Sequence, residues 1–381
     1  MKKLLLAIII SVLTVSTVYS YLPGNIFTRY NSINAVVSAG DTLNFLPDSD
    51  TVVIFDTNRF LQSNLFKSII QDPKANKEFK DMENQARQFG VDINQLREIA
   101  IGMNIDASMK SETKFCIVAS GSFDREKILS TIASSPKKIA VQSEEYNGKT
   151  LYTIVPDNND NSHVGKVMKL DKQFGVAFLT PQIVALGNIE KVKDSIDVQA
   201  GKQPSALSNQ EIASYITSTN SSAMVRFAGK LDTHRNAEAA TSKPNTAKRS
   251  KVLTNESLGA PEPSEKPDNQ AASSSEPEYV TMLKSIRAFH GSLDFYSGFQ
   301  LDTTVITHNE GEGKKLYDGV NGMVSLGRFA LGQDPKNAQF MEILNKVNLI
   351  NNGKEIKLNI DVPEALLNQI LNEIKKNSPA K

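Results

Sequence analysis

The chain has 381 residues, with 43 basic and 42 acidic side chains, a formal net charge of +1, one cysteine and no tryptophan. A balance this even excludes the concentrated basic surplus by which proteins hold nucleic acid or an anionic membrane surface. A single cysteine excludes an intramolecular disulfide, so the core must hold by packing alone.

Residues 1–20 open with Lys2 and Lys3, followed by an uncharged apolar run over 4–18 and the sequence Val18-Tyr19-Ser20. This pattern predicts a signal peptide and a mature chain beginning at Tyr21, because the run is short for a membrane span of roughly twenty residues. Retained, the same segment would anchor the chain and be its only contact with a membrane. Without Lys2 and Lys3 the count becomes 41 basic against 42 acidic residues, a net charge of −1.

From Tyr21 to residue 234 strands and helices alternate. The β-rich run 51–55 follows Leu46-Pro47-Asp48, and Phe79, Met82, Ala86 and Phe89 recur at helical spacing before Gly90, a helix C-cap. Strands are expected at 99–103 and 115–119, then a helix over 125–134. Segments 138–145 and 150–155 flank Asn147-Gly148, the strongest short hairpin signal. A second hairpin, 174–179 with 183–187, turns at Thr180-Pro181, and is followed by a helix over 189–196 and a strand over 222–229.

Composition changes over 235–278, which holds five of the chain's 15 prolines and no aromatic residue. Such a segment buries too little apolar surface to offset its ordering entropy, and it is expected to be a disordered linker. The segment 279–381 then begins with a short helix over 282–286 and strands over 288–296 and 299–307, joined at Ser297-Gly298. A long helix follows, with Leu316, Val320, Met323, Val324, Gly327 and Leu331 on one face. After a helix over 338–346, strands 348–351 and 355–361 surround Asn352-Gly353. Pro363 marks the first turn of a closing helix bearing Leu366, Leu367, Ile370, Leu371 and Ile374.

Hairpins outnumber strand–helix–strand crossovers, so the expected class is α+β, a mostly antiparallel sheet with helices packed on one face. The segments around the two Asn-Gly turns share the order helix, strand, turn, strand. That order fits a duplicated unit, and it is also common enough to arise by chance.

The most suggestive corner is Lys114 to Leu129, KFCIVASGSFDREKIL, a strand that turns through Ser-Gly-Ser into a helix. Val118-Ala119-Ser120-Gly121-Ser122 lacks both glycines of a nucleophile elbow, and no phosphate-loop sequence is present. Asp124 is placed as an N-cap, Phe123 and Ile128 are spaced as a hydrophobic staple, and Cys116 reads as a small buried hydrophobe. His163, His234, His290 and His308 lack metal-binding spacing. Asp157 to Asn161 superficially follows a calcium loop, but Ser162 and Met168 stand where glycine and glutamate are needed. No catalytic, cofactor-binding or metal-ligating residue is assigned, and no cofactor is expected.

The Leu-Pro strand opening at Leu46-Pro47, the Leu65-Phe66-Lys67 helix, Gly121-Ser122-Phe123-Asp124, Tyr146-Asn147-Gly148-Lys149 and Ala185-Leu186-Gly187 form a recognisable series. In these motifs, over 45–200 and more loosely from 285 onward, the chain resembles a group of uncharacterised exported bacterial envelope proteins. The resemblance implies a fold and a compartment, periplasmic or extracellular, and transfers no catalytic residue. The function expected is a non-enzymatic envelope protein that binds or scaffolds an unknown protein. The alternatives are a periplasmic carrier of an apolar ligand or lipid, held against the long helix where Gly319, Gly322 and Gly327 leave room, and an unrecognised hydrolase.

Overall fold

The structure is a computed structural model that describes residues 41–104, 113–133, 140–155, 173–231, 284–333 and 337–377. The signal segment 1–20, the Asp157–Asn161 loop, His163, His234 and the linker 235–278 lie outside the described residues.

Twelve antiparallel strands make one sheet: β1 (Thr51–Asp56), β2 (Glu98–Asn104), β3 (Lys114–Ser120), β4 (Ala140–Tyr146), β5 (Lys149–Val155), β6 (Phe174–Thr180), β7 (Ile183–Gly187), β8 (Val225–Lys230), β9 (Ile286–Asp294), β10 (Gly298–Thr307), β11 (Val347–Asn352) and β12 (Glu355–Pro363). Their order is β11-β12-β10-β9-β8-β1-β2-β3-β7-β6-β5-β4. The helices are α1 (Thr57–Gln62), α2 (Asn64–Ile70), α3 (Pro73–Gln88), α4 (Arg125–Ala133), α5 (Ile189–Gln199), α6 (Gln210–Ser218), α7 (Glu310–Gly332), α8 (Ala338–Asn345) and α9 (Glu364–Asn377). The protein is therefore α+β, with a sheet built from antiparallel hairpins.

Chain direction explains the order. From β3, near the middle, α4 carries the chain to the β4 edge, and the meander β4 to β7 returns it to β3. Then α5 and α6 lead to β8 on the other side of β1. After the β9–β10 hairpin, α7 and α8 carry the chain to the opposite edge, and β12 returns from β11 to β10.

The register shows that the main cores of the two halves lie on opposite faces. Val52, Ala228, His290, Thr304 and Lys357 sit opposite one another across successive strands, so they share one face. On the β1–β7 side that face is the main core: Val52, Ile54, Ala100, Cys116, Val118, Ala177 and Ala185 pack against Val192 and Ile196 of α5 and Ile212 and Ile216 of α6. On the β9–β12 side the apolar residues fall on the alternate positions. Val305, Ile356 and Leu358 pack against Leu316, Val320 and Val324 of α7, while Ile360 and Val362 pack against Leu366 and Ile370 of α9. Each half thus has its main core on one face, and the strands between them are apolar on both sides: Val53, Ile101, Met103 and Ile117 form a further buried cluster, and Phe55 packs with Phe60 of α1 and Phe66 of α2.

Local expectations are met with small offsets. Asn147 and Gly148 both have positive φ (46° and 76°), the signature of a type I′ turn, and they join Tyr146 to Lys149. The second hairpin closes one residue later than its Asn-Gly suggests. Asn352 pairs with Glu355, so the loop is Gly353-Lys354, and only Gly353 has positive φ. Asp124 caps α4 by accepting from the Lys127 N–H at 3.0 Å. Pro363 ends β12 one residue before α9. Of the helix expected over 282–286, residues 282 and 283 lie outside the described residues, Lys284 is helical, and Ile286 instead begins β9, pairing with Thr307 of β10.

Two glycines separate the cost of backbone conformation from the cost of crowding. Gly148 (φ 76°) points into open space, whereas Gly187 (φ 152°) lies against the Phe115 carbonyl and the Cys116 backbone. Gly148→Ala is expected to cost about 1 kcal/mol through conformation alone. Gly187→Ala is expected to cost about 3 kcal/mol or more, because β3 and β7 must also separate. Urea denaturation of both variants measures the difference, and equal costs would refute the crowding argument.

Candidate functional site

The Lys114 to Leu129 corner is structural. Cys116 is 1% exposed among Val118, Ala185 and Val192. Burial, eased slightly by a hydrogen bond to Ser195, pushes its thiol pKa up to about 12, so the thiolate nucleophile is absent at neutral pH. Ser120 accepts from Arg97 Nη2 at 2.9 Å, and a side chain at Gly121 would collide with Leu96. Ser120 braces the turn into α4.

Among the described histidines, His290 on β9 has the environment nearest to a catalytic one. Its Nδ1 lies 3.1 Å from Ser218 Oγ at the end of α6, and its ring stacks on Tyr215 with centroids 5.0 Å apart and planes 6° from parallel. The polarity is wrong for a nucleophile, because the Ser218 hydroxyl donates its proton to the Tyr215 carbonyl at 2.7 Å. The hydroxyl can therefore only accept from His290, and a base that donates cannot activate it.

Tyr215 and its neighbours hold α6 on the sheet. Arg287 of β9 donates to Glu211 Oε1 at 2.6 Å and to the Tyr215 hydroxyl at 2.8 Å, while Tyr215 donates to Glu211 at 2.9 Å. Burial and the Glu211 hydrogen bond push the Tyr215 pKa up to about 12. For Glu211, partial burial works upward, but the hydrogen bonds from Tyr215 and Arg287 outweigh it and hold the carboxyl below its ordinary value. A carboxylate depressed on folding stabilises the fold above its unfolded pKa, and that contribution is lost as pH falls through the folded value. Because the group is largely solvated, the contribution is small and salt-screened.

A polar cleft of about 360 Å³, lined by Asp56, Asn58, Arg59, Gln62, Ser222 and Tyr296, opens beside α1. Its guanidinium is already engaged: Arg59 bonds Asp294 through Nη2 at 2.5 Å and Nε at 3.3 Å, and lies 4.6 Å above the Tyr296 ring. Deeper in the sheet, Arg226 is 6% exposed and 3.7 Å from Glu98, which also accepts from Thr42. Burial lowers the Arg226 pKa against the pull of Glu98 and Asp56. Both guanidinium groups are thus engaged by carboxylates of the sheet. No group of three or more His, Cys, Asp or Glu suited to a metal ion occurs among the described residues.

The feature that sequence reasoning missed is on α7 and α8. Met323, expected inward, is 40% exposed, and Leu326 (68%), Phe329 (70%) and Phe340 of α8 (40%) are exposed as well. The inward stripe is narrower, formed by Leu316, Val320 and Val324. Gly327 receives Leu344 of α8, 3.2 Å from where a Cβ would stand, and Arg328 donates to the Leu344 carbonyl at 2.8 Å. The signal was legible: from Gly319 to Gln333 the only charged residue is Arg328, so the outward side of this stretch lacks the charged face usual for a helix that covers a sheet. No described helix is long and apolar enough to cross a membrane.

No family model and no curated protein matches the chain. Among solved structures it is similar to crystal form III of TP0453, with a TM-score of 0.39 and 12% identity over 88% of this chain and 99% of that one. Crystal form I of TP0453 gives a TM-score of 0.37 and 12% identity over 88% and 98%.

Two predictions follow from the site chemistry. Cys116→Ala is expected to cost roughly 1 kcal/mol by loss of a small buried volume, and Asp124→Ala about 0.5–2 kcal/mol by loss of the cap. Cys116 should resist thiol reagents until the protein unfolds, and rapid labelling of the native protein would reopen the corner as a site. Glu211→Gln should reduce stability most at neutral pH, and the difference from the parent should vanish towards about pH 3, below the carboxylate range. Denaturation midpoints at several pH values test this, and a difference that grows on acidification would contradict the sign.

Proposed function

We propose that the chain is an exported, non-enzymatic protein of the bacterial cell envelope that acts by binding or scaffolding another protein. The observation that carries this reading is the set of solvent-facing apolar side chains Met323, Leu326 and Phe329, spaced three apart on α7, with Phe340 on the neighbouring α8. A contiguous apolar patch on a folded surface is a recurrent mark of an interaction site. The export half of the reading rests on the sequence of residues 1–20 and on the single cysteine, which leaves the mature chain indifferent to an oxidising compartment. The apolar-carrier reading gains less: of Gly319, Gly322 and Gly327, Gly322 is exposed with open space beside it and Gly327 is filled by Leu344.

The test is capture from native envelope extracts with tagged residues 21–381, in parallel with a Leu326→Glu/Phe329→Glu variant. These side chains face solvent, so the variant should fold as the parent does. A protein retained by the parent and lost with the variant is the expected result. Identical retention by both, or turnover of a substrate in a hydrolase panel that one point substitution abolishes, would overturn the proposal. N-terminal sequencing of the exported protein should begin at Tyr21; recovery of Met1 from envelope fractions would favour a retained anchor.

A further inference from the structure

The sheet ends in two edges of unlike character. At one edge, β4 carries Glu144 and Glu145, so pairing two copies of β4 would bring four carboxylates onto one seam. The other edge, β11, reads Val-Asn-Leu-Ile-Asn-Asn, with no charge, no proline and no bulge in its register with β12. Charged residues, prolines and bulges are the means by which proteins block edge-to-edge pairing, and β11 has none of them.

Its free hydrogen-bonding row can be read from the hairpin. Asn352 and Glu355 close the two-residue loop as a hydrogen-bonded pair, so Asn352, Ile350 and Asn348 turn their backbone groups towards β12. Val347, Leu349 and Asn351 turn theirs outward, and among the described residues no strand pairs on that side. Asn348, Ile350, Asn351 and Asn352 are exposed.

We infer that β11 is a self-association edge, and that its occupant is β11 of a second copy of this chain, antiparallel, about a two-fold axis through Leu349. Three constraints select this register. The axis must place outward-facing backbone groups opposite one another, and Leu349 with Leu349 and Val347 with Asn351 do so. Residues of like face must meet, which holds because the residue numbers of each pair sum to an even value. Like charges must not oppose, and here Lys346 meets Asn352 and Lys354 meets Leu344. Shifting the axis to Ile350 would set Lys346 against Lys354, which is unfavourable. The pairing supplies about six backbone hydrogen bonds, two for each facing pair. The contact is isologous, so it closes as a dimer, whereas β11 on β4 of another copy would propagate without end.

Sedimentation velocity of the mature chain tests the proposal. A reversible dimer is expected by about 100 μM, as befits a small interface. Asn351→Pro removes an outward N–H and leaves the β12 ladder intact, and it should weaken dimerisation at least about tenfold. Ser143→Pro, which alters the outward row of β4, should leave it unchanged. Because Asn351→Pro could also disturb the turn, Leu349→Cys provides a second measure in the parent background, where the native Cys116 is buried. It should form a disulfide-linked dimer on mild oxidation, and Ser143→Cys should not. A chain monomeric at that concentration that fails to cross-link through Leu349→Cys would overturn the inference. So would association that survives Asn351→Pro, or is broken by Ser143→Pro. These outcomes are independent of the α7 patch, so the dimer and the partner-binding reading can fail separately.

Discussion

The architecture depends on β8. This six-residue strand pairs with β1 on one side and with β9 on the other, and it is the only seam between the two halves of the sheet among the described residues. Because β8 and β9 are antiparallel neighbours, the chain leaving β8 needs only to return beside it. The span of residues 232–283 can therefore be long at small thermodynamic cost, since loop-closure entropy rises only logarithmically with length. What the seam does demand is close approach. A side chain at Gly229 would collide with the Phe289 ring, and one at Gly291 with Thr303. Both glycines make room for a neighbouring side chain where the two cores meet.

The inversion of apolar faces across this seam follows from side-chain alternation. On β8, Ala228 faces the core under α5 and α6 while Phe227 faces the other way, 6.3 Å from Phe289 of β9. Further along, the face that continues from Ala228 turns polar, with His290, Ser292, Thr304, Asp302 and Asn359. Asp302 there accepts from Asn359 at 2.8 Å; burial raises its pKa against that bond, and Asp361 adds to the rise. One continuous ladder thus serves two main cores on opposite faces. A one-residue slip between β8 and β9 would exchange the faces of an entire half, so the register of this pair is strongly specified.

Much of this was legible in the sequence, for identifiable reasons. The two Asn-Gly turns, the strands around them and the capped start of α4 are local signals, decided by residues within a few positions of one another. The α+β class followed from their number and spacing. Strand order was not legible, because β12 lies between β10 and β11, and β8 beside β1, through contacts far apart in sequence. Helix α6 was missed because its apolar residues, Ile212 and Ile216, make only a short stripe in a polar stretch, and the helix is held by the Glu211–Arg287 and Tyr215–His290 contacts to a distant strand. Met323 misled because spacing alone gives α7 a wide apolar face, while the sheet beneath it covers only the Leu316–Val320–Val324 stripe. Ser218 and His290 meet across 72 residues, which no motif could signal.

The two edges repeat one construction. In each half a helix, α4 or α8, precedes an outer hairpin whose first strand is the sheet edge and whose second strand turns back inward. Arg125 of α4 lies 5.7 Å from Tyr152 and 5.6 Å from Phe178, on the face that also holds Val176 and Ile154. The α8 residue Ile343 packs with Ile360 and Val362 on that same continuous face. The corresponding strands run in opposite directions and the order is reversed, which is the relation made by a two-fold axis normal to the sheet. Each turn is also tied to a helix of its own half, but by different chemistry. Tyr146 and Asn147 donate to Asp197 of α5 at 2.8 and 2.5 Å, whereas the Gly353 carbonyl lies against Gly313 of α7 and the neighbouring Lys354 carbonyl accepts from the Thr307 hydroxyl at 3.0 Å. A shared layout with unlike anchors is what either divergence from a duplicated unit or independent selection of one economical edge would leave. The helices α5 and α6, which have no counterpart on the same face of the other half, are where the two halves part company.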